Sequence, residues 1–168
     1  VAGIISGIYE GETTAPVNIR CDNVQTQGGV IYGLYNSTAE ISSKDTAVSV
    51  SLNDCNFGGT AVFASNSSDI SVPEGSKAVD IKVTGQGTYG SPIEALIGTR
   101  LNEENERVNS SVTGDVYMDI NLEDENSVKL IQAVADGVTL NGTLNLNIKN
   151  ANINDLYGVA GAEIAKNR

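Results

Sequence analysis

The chain has 168 residues, of which 40% are hydrophobic and 18% charged; this composition predicts one globular domain able to bury a core and excludes intrinsic disorder. A net charge of −11 disfavours nucleic acid and anionic membrane surfaces as partners, because both require a basic footprint. The absence of histidine removes the commonest general base and transition-metal ligand, and no apolar run predicts insertion into a membrane.

From Val17 onward, one strand pattern recurs. Apolar and polar residues alternate in it, as is typical of a strand with one buried face. Its successive copies begin 31, 31, 37 and 28 residues apart. The five copies are Val17–Cys21, Val48–Leu52, Val79–Val83, Val116–Ile120 and Leu144–Ile148.

A second strand follows each copy and carries a small residue near its centre, and an additional copy of it opens the chain. These segments are Ile5–Ile8, Ile31–Leu34, Val62–Ala64, Ile93–Leu96, Ile131–Val134 and Leu156–Val159. A shorter third strand is predicted at Glu40-Ile41, Asp69-Ile70, Arg100-Leu101, Thr139-Leu140 and Glu163-Ile164.

Three short strands in every repeat predict an all-β solenoid of five to six coils, in which each strand pairs with its equivalent in the next coil. A sandwich of antiparallel hairpins is the alternative, but hairpins require no such repeat. Asn, Asp and Gly cluster between strands one and two, where they suit corners with positive φ. The whole chain, 1–168, is interpreted as one domain, with an acidic corner insertion at Asn102–Gly114.

This three-strand repeat resembles the right-handed parallel β-helix, the pectate-lyase-like fold of polysaccharide lyases, polygalacturonases, tailspikes and many repetitive secreted or surface proteins of bacteria. The resemblance covers nearly the whole chain and implies an architecture, not an activity. Family enzymes are longer and have a capping helix at the N-terminus. Neither end of this sequence carries an obvious cap, so we expect either a fragment of a longer solenoid or self-association through open β-helix ends.

Cys21 and Cys55 are 34 residues apart, whereas the repeat at that point is 31 residues long. An offset of three positions is roughly 10 Å along a strand, which is too far for a disulfide bond. We therefore expect two buried free thiols.

Enzymes with the resembled fold present carboxylates, sometimes with a basic residue, on one outward sheet. The outward positions of strand one bring Asp80, Lys82 and Asp119 close together, and paired carboxylates could hydrolyse a glycoside. A ladder of surface salt bridges is the competing interpretation. Because no signature of a family enzyme accompanies these residues, no catalytic residue is assigned, and the three are only candidates.

Residues Glu123-Asp124-Glu125 form the densest acidic run and, together with Asp119, could bind Ca²⁺ through oxygen ligands. The run lacks the spacing of an EF-hand, so a solvated corner is the simpler interpretation. We assign neither a metal site nor a cofactor.

In the second strand, the outward positions include Tyr32, Phe63 and Tyr157, which could bind a ligand by stacking. Strict alternation would also turn the aliphatic residue after the small one outward and create an exposed apolar stripe. The stripe would then be an interface or a carbohydrate platform. If the small residue marks a bend, both flanking aliphatic residues point inward instead.

The expected function is that of a non-enzymatic, structural or adhesive segment of a secreted or cell-surface bacterial protein. Candidate partners are a carbohydrate or a host or cell-surface protein. Two other classes of function remain: a fragment of a carbohydrate-active enzyme, and a fibre subunit that stacks end to end.

Overall fold

The computed structural model describes residues 3–123 and 126–165. These residues form β-strands and connecting turns, and no helix among them is long and apolar enough to span a membrane. In chain order the strands are β1 Ile4–Tyr9, β2 Glu12–Thr13, β3 Val17–Asp22, β4 Gln25–Thr26, β5 Gly29–Tyr35, β6 Thr38–Glu40, β7 Val48–Asn53, β8 Asn56–Phe57, β9 Thr60–Asn66, β10 Asp69–Ser71, β11 Lys77–Gly85, β12 Thr88–Tyr89, β13 Ile93–Ile97, β14 Thr99–Leu101, β15 Arg107–Thr113, β16 Asp115–Leu122, β17 Ser127–Val134, β18 Val138–Asn141, β19 Leu144–Lys149, β20 Asn152–Val159 and β21 Glu163–Ile164.

The strands build three parallel sheets that run along one axis, which confirms the predicted parallel β-helix. The first sheet has the order β19-β16-β11-β7-β3. The second contains β1, β5, β9, β13, β17 and β20, and also the short strands β4, β8 and β12, while the third has the order β2-β6-β10-β15-β18-β21. Within the described residues, five three-strand coils therefore follow a partial coil made of β1 and β2.

The register of the first sheet is the one that the alternating pattern predicts. Val17 pairs with Val48, Val48 with Val79, Val79 with Val116, and Val116 with Leu144. Each of these residues points inward, as do the residues two and four positions further along each strand. The central column of this core is formed by Ile19, Val50, Ile81, Met118 and Leu146.

The corners after the first sheet hold the expected residues in the left-handed conformation, where Asn, Asp and Gly meet the least steric resistance. Asn23 and Asp54 both have a φ of 53°, Gly85 has 77° and Asn150 has 54°. Between this corner and the longer strands of the second sheet, β4, β8 and β12 form a short arm of the same sheet. The arm contains an aromatic core pair, Phe57 and Tyr89, with ring centroids 5.5 Å apart.

The third sheet differs from the sequence prediction in two coils. In coil one the strand is Thr38–Glu40, and Ala39 rather than Ile41 pairs with Ile70. In coil three, the prediction of Arg100-Leu101 was wrong, because β14 pairs antiparallel with β15. The third-sheet position belongs to Ser110–Thr113 of β15, whose Val112 pairs with Ile70 and Leu140.

The segment Asn102–Gly114 is therefore mainly one arm of a hairpin. Its turn is closed by Asn102, whose Oδ1 accepts hydrogen bonds from the backbone N–H groups of Glu104 and Glu106, both at 2.9 Å. Asp69 holds the hairpin to coil two: its Oδ2 lies 2.6 Å from Nε of Arg100, and its Oδ1 accepts a hydrogen bond from Ser111 N at 2.8 Å. Residues 103–107, at the tip of the hairpin, are exposed.

Both cysteines are buried free thiols, as the offset predicts. Cys21 lies in β3, and Cys55 lies at the following corner of the next coil. The Cys55 thiol donates weak hydrogen bonds to the carbonyl oxygens of Cys21 at 3.3 Å and Asn53 at 3.4 Å. Burial raises the pKa of the Cys21 thiol, so this sulfur behaves as a core atom.

Candidate functional site

Four aromatic side chains gather on the outer face of the second sheet, and we call them the aromatic patch: Tyr9, Tyr32, Tyr35 and Phe63. The rings of Tyr9 and Tyr35 stack with centroids 4.7 Å apart, and those of Tyr32 and Phe63 stack at 5.7 Å. Tyr32 and Tyr35 join the two stacks at 4.8 Å. The rings come from three successive strands, β1, β5 and β9, and Tyr9 is 50% exposed. The patch is therefore continuous and open to solvent.

A bend in β5, a strand of the second sheet, places Tyr35 on the same outer face as Tyr32. In β5 the small residue Gly33 and the next residue, Leu34, both point into the core, and Leu34 is fully buried. Two consecutive inward residues shift the alternation by one position, so Tyr35 returns to the outer face beside Tyr32. The same bend buries Leu96 and Val134 completely, which confirms the predicted bend and excludes the continuous aliphatic stripe in these interior coils.

Of the three aromatic residues predicted to bind a ligand, the structure brings two together. Tyr32 pairs directly with Phe63 across neighbouring strands. Tyr157 occupies the same outward column but lies three coils beyond Phe63, which is about 14 Å at the usual strand spacing. Tyr157 is 48% exposed and stands apart from the patch.

The outward column that contains Tyr32 and Phe63 continues with Glu94 and Gln132. Glu94 is only 5% exposed although it lies on the outer face of the sheet. Among the described residues it has no ion-pair partner, and burial raises the pKa of its carboxyl to about 7. An unpaired acid thus lies directly beside the Phe63 ring, on the side away from Tyr32.

The catalytic candidates lie on the outer face of the first sheet, where Asp80 and Lys82 of β11 pair with Tyr117 and Asp119 of β16. Asp80 is 9% exposed, and its Oδ2 lies 2.9 Å from Nζ of Lys77. Lys77 also lies over the Tyr117 ring, 4.2 Å from its centroid. The Lys77 side chain therefore covers Asp80, whose other oxygen, Oδ1, is buried without a hydrogen-bond partner in the described part of the chain.

Asp119 and Lys82 are neighbours across the same pair of strands, but no ion pair joins them in the described residues. Asp119 instead accepts a hydrogen bond from Nδ2 of Asn147 at 3.3 Å. The arrangement is a ladder of separate polar contacts, in which Lys77 engages Asp80 and Asn147 engages Asp119.

For the calcium hypothesis, Asp124 and Glu125 lie outside the described residues. Within the ranges 3–123 and 126–165, no group of three or more acidic or cysteine side chains is arranged to hold a metal ion.

A concave surface separate from the aromatic patch follows the corner between the first and second sheets. It is an open polar groove of about 1560 Å³ whose lining includes Asn23, Asp54, Gln86, Asn121 and Asn150. Part of this lining is bonded internally: Asp54 Oδ1 accepts from Gln86 N at 2.9 Å, and Asn150 Nδ2 donates to Asn121 Oδ1 at 3.2 Å. The groove presents amide groups and lacks the aromatic rings of the patch.

Sequence reasoning missed Tyr9 and Tyr35 as members of the patch, and it missed the burial of Glu94. The two tyrosines have a signal in the sequence, because extending the aligned second strands by one residue past the bend places Tyr9 opposite Tyr35. The alignment also places Glu94 in the outward column, but the burial of that position depends on neighbouring side chains in three dimensions.

Comparisons with models of protein families, with curated proteins and with solved structures find no match for this chain.

Proposed function

We propose that this chain is a structural and adhesive β-solenoid segment of a secreted or cell-surface protein, and that it contacts a carbohydrate through the aromatic patch. The observation that carries the proposal is the geometry of the patch: four rings from three successive strands, with neighbouring centroids 4.7 to 5.7 Å apart. Exposed aromatic clusters of this kind are uncommon on surfaces without a binding role.

The scaffold supports such a role. Tyr32, Tyr35 and Phe63 lie on strands whose inward residues are part of the continuous core, so these rings are held in place before any ligand arrives. Tyr9 lies on the edge strand β1, where Ile8 packs against that core. Preorganisation of this kind reduces the entropy lost on binding. The flat faces of sugars offer C–H groups to aromatic rings, and the tyrosine hydroxyls add hydrogen-bonding capacity at the edges of the rings.

The enzymatic alternative has weaker support from the described residues. Asp80 is engaged with Lys77, and Asp119 bonds to Asn147 one coil further on. A retaining or inverting glycosidase needs one carboxyl group as the acid and a second as the nucleophile or base, with the substrate between them. The two aspartates are instead each occupied by a neighbour in the ladder.

The test is a binding experiment with a panel of neutral oligosaccharides, followed by two-dimensional NMR of the labelled protein. We expect the shifts of at least one glycan titration to concentrate at Tyr9, Tyr32, Tyr35 and Phe63. The double variant Tyr32→Leu/Tyr35→Leu should bind about ten-fold or more weakly, since each ring contributes contact area and stacking.

Tyr157→Leu is the matched control, because it removes the same type of side chain from the same outward column at a distance from the patch. We expect its affinity to stay within about two-fold of that of the wild type. If no glycan binds, or if the double variant binds as well as the control, the proposal is wrong. New reducing ends or unsaturated products in the same mixtures would favour the enzymatic alternative.

A further inference from the structure

We propose that the ligand of the aromatic patch carries a positive charge and is an amino sugar with a free amine. This inference rests on the proposed function, because it specifies the chemistry of the ligand at the same site. The observation that carries it is the position of Glu94, which follows Phe63 in the outward column and is 95% removed from solvent without an ion pair in the described residues.

A carboxyl group that is buried without a cation is unfavourable when it is ionised, and a cation placed close to it relieves that cost. The faces of aromatic rings also attract cations, because the ring quadrupole is negative above and below the plane. At the end of the Tyr32–Phe63 stack these two attractions coincide. A positively charged group bound beside Phe63 would interact with the ring face and with the Glu94 carboxylate together.

No basic side chain of the described residues already fills this role. Within the described residues, Lys77 makes a cation–ring contact with Tyr117, but these two residues lie on the first sheet and not at the patch. The chain as a whole has a net charge of −11, which favours the approach of cations over anions. The patch therefore has the electrostatic character of a cation-binding surface without a resident cation.

The remaining groups of the patch favour a sugar over a simple ammonium ion. Tyr9, Tyr32 and Tyr35 provide three hydroxyl groups around the stacked rings, and Gln132 follows Glu94 with an amide group. These groups can bond to the hydroxyls of a pyranose while its C–H face lies against the rings. A sugar that bears an ammonium group uses every element of this surface.

The experiment compares two probes that share a backbone: a tetramer of glucosamine, whose amines are charged below neutral pH, and the N-acetylated tetramer, which is neutral. Binding is measured by calorimetry and NMR at low salt, at a pH just below neutral where the amines are protonated. Because the pKa of free Glu94 is about 7, its carboxyl releases its proton to the buffer when the ammonium group binds beside it. We expect the glucosamine tetramer to bind at least about ten-fold more tightly than the neutral one, with shifts centred on Phe63 and Glu94. This preference should decrease as salt is added.

Glu94→Gln should reduce the preference to about two-fold or less, chiefly by weakening the binding of the glucosamine tetramer. Glutamine is present one coil further on, at Gln132, so the substitution introduces a side chain that the column already accommodates. Asp119→Asn is the matched control, since it removes one negative charge from the first sheet and should leave the preference intact. Phe63→Leu, which keeps Glu94, should weaken binding of both tetramers.

Equal affinities of the two tetramers for the wild-type protein would overturn the inference, as would a preference that survives in Glu94→Gln. In either case, binding of the neutral tetramer at the patch would leave the proposed function standing. If neither tetramer nor any glycan of the neutral panel binds, the proposed function and this inference both fail.

Discussion

Glu94 lies on the outer face of the second sheet, but its carboxyl group is removed from water as completely as the side chain of a core residue. Its neighbours across the adjacent strands are Phe63 and Gln132, neither of which titrates. The nearest titratable groups along the column are Tyr32 and Tyr157, each two coils away. The pKa of Tyr32 is itself raised by burial and by Tyr35 and Tyr9. Since no ion pair of the described residues involves Glu94, burial alone raises the pKa of its carboxyl from the ordinary 4.5 to about 7.

The raised pKa makes stability depend on pH in a defined direction. Below about pH 4.5, Glu94 is protonated in both the folded and the unfolded chain, so its burial does not lower the free energy of unfolding through ionisation. As the pH rises toward 7, the unfolded chain loses the proton while the folded chain keeps it, so folding becomes less favourable. This decrease in the free energy of unfolding is complete above the pKa of Glu94 in the folded chain. We expect Glu94→Gln to raise the free energy of unfolding at pH 8 by about 2 to 3 kcal/mol.

The measurement is urea unfolding of wild type and variant at several values between pH 4.5 and 8. The difference between the two proteins should be close to zero at the acidic end and grow with pH. Glu40→Gln, a substitution at an exposed acid, should show no such growth. A constant difference across the range would mean that Glu94 is ionised in the folded protein throughout.

At the scale of the element, the second strand depends on a small residue at its bend. Close packing of coils leaves little room there: a Cβ atom added to Gly33 would lie 2.3 Å from the carbonyl oxygen of Ala64 and 2.5 Å from Cγ1 of Val48. The equivalent Gly158, in coil five, is different. Its Cβ would meet Cδ2 of Leu144 at 3.6 Å, which is an ordinary van der Waals contact.

We therefore expect Gly33→Ala and Gly158→Ala to differ although they make the same chemical change at equivalent positions. Gly33→Ala should lower the free energy of unfolding by about 2 to 3 kcal/mol, because the backbone of the neighbouring strand must move. Gly158→Ala should change it by less than about 0.5 kcal/mol. Thermal and denaturant unfolding can measure both. Similar effects in the two variants would show that coil one accommodates a methyl group at the bend, as coils two to four do with Ala64, Ala95 and Ala133.

How far the elements could be predicted depended on whether a strand alternates. The first sheet was predicted with its full register, because Val17 and its equivalents mark an inward position in every coil. The third sheet was the least well predicted. Its strands are as short as two or three residues, so the pattern in 99–101 resembles the pattern in 111–113, and only the hairpin geometry distinguishes them.

The candidate site was partly predictable for the same reason. Alternation identified Tyr32 and Phe63, but it could not show that the bend returns Tyr35 to the outer face. The arm with Phe57 and Tyr89 was also missed, because its strands are two residues long and contain no period. The burial of Glu94 arises from packing between coils that the sequence pattern does not encode.

At the scale of the whole molecule, the core is a column in which each coil contacts the coil before it and the coil after it. Strands β3 and β19 are the edges of the first sheet in the described structure, whereas β11 has a partner on both sides. Burial follows this order: Ile81 of β11 is fully buried, while Ile19 of β3 and Leu146 of β19, in the same inward column, are partly buried. Stability in such stacks is approximately a sum of coil terms and interface terms.

Position in the stack should therefore decide the effect of otherwise identical core mutations. We expect Ile81→Ala to lower the free energy of unfolding of the 168-residue chain by about 3 to 4 kcal/mol, because it opens a cavity between two covered coils. Ile19→Ala should cost about half as much or less, since its side chain loses less contact area. Hydrogen exchange should rank the backbone amides in the same order, with β7, β11 and β16 exchanging more slowly than β3 and β19. Equal effects of the two substitutions, together with uniform exchange, would indicate that the column unfolds as one cooperative unit in which the edge coils are as firmly held as the centre.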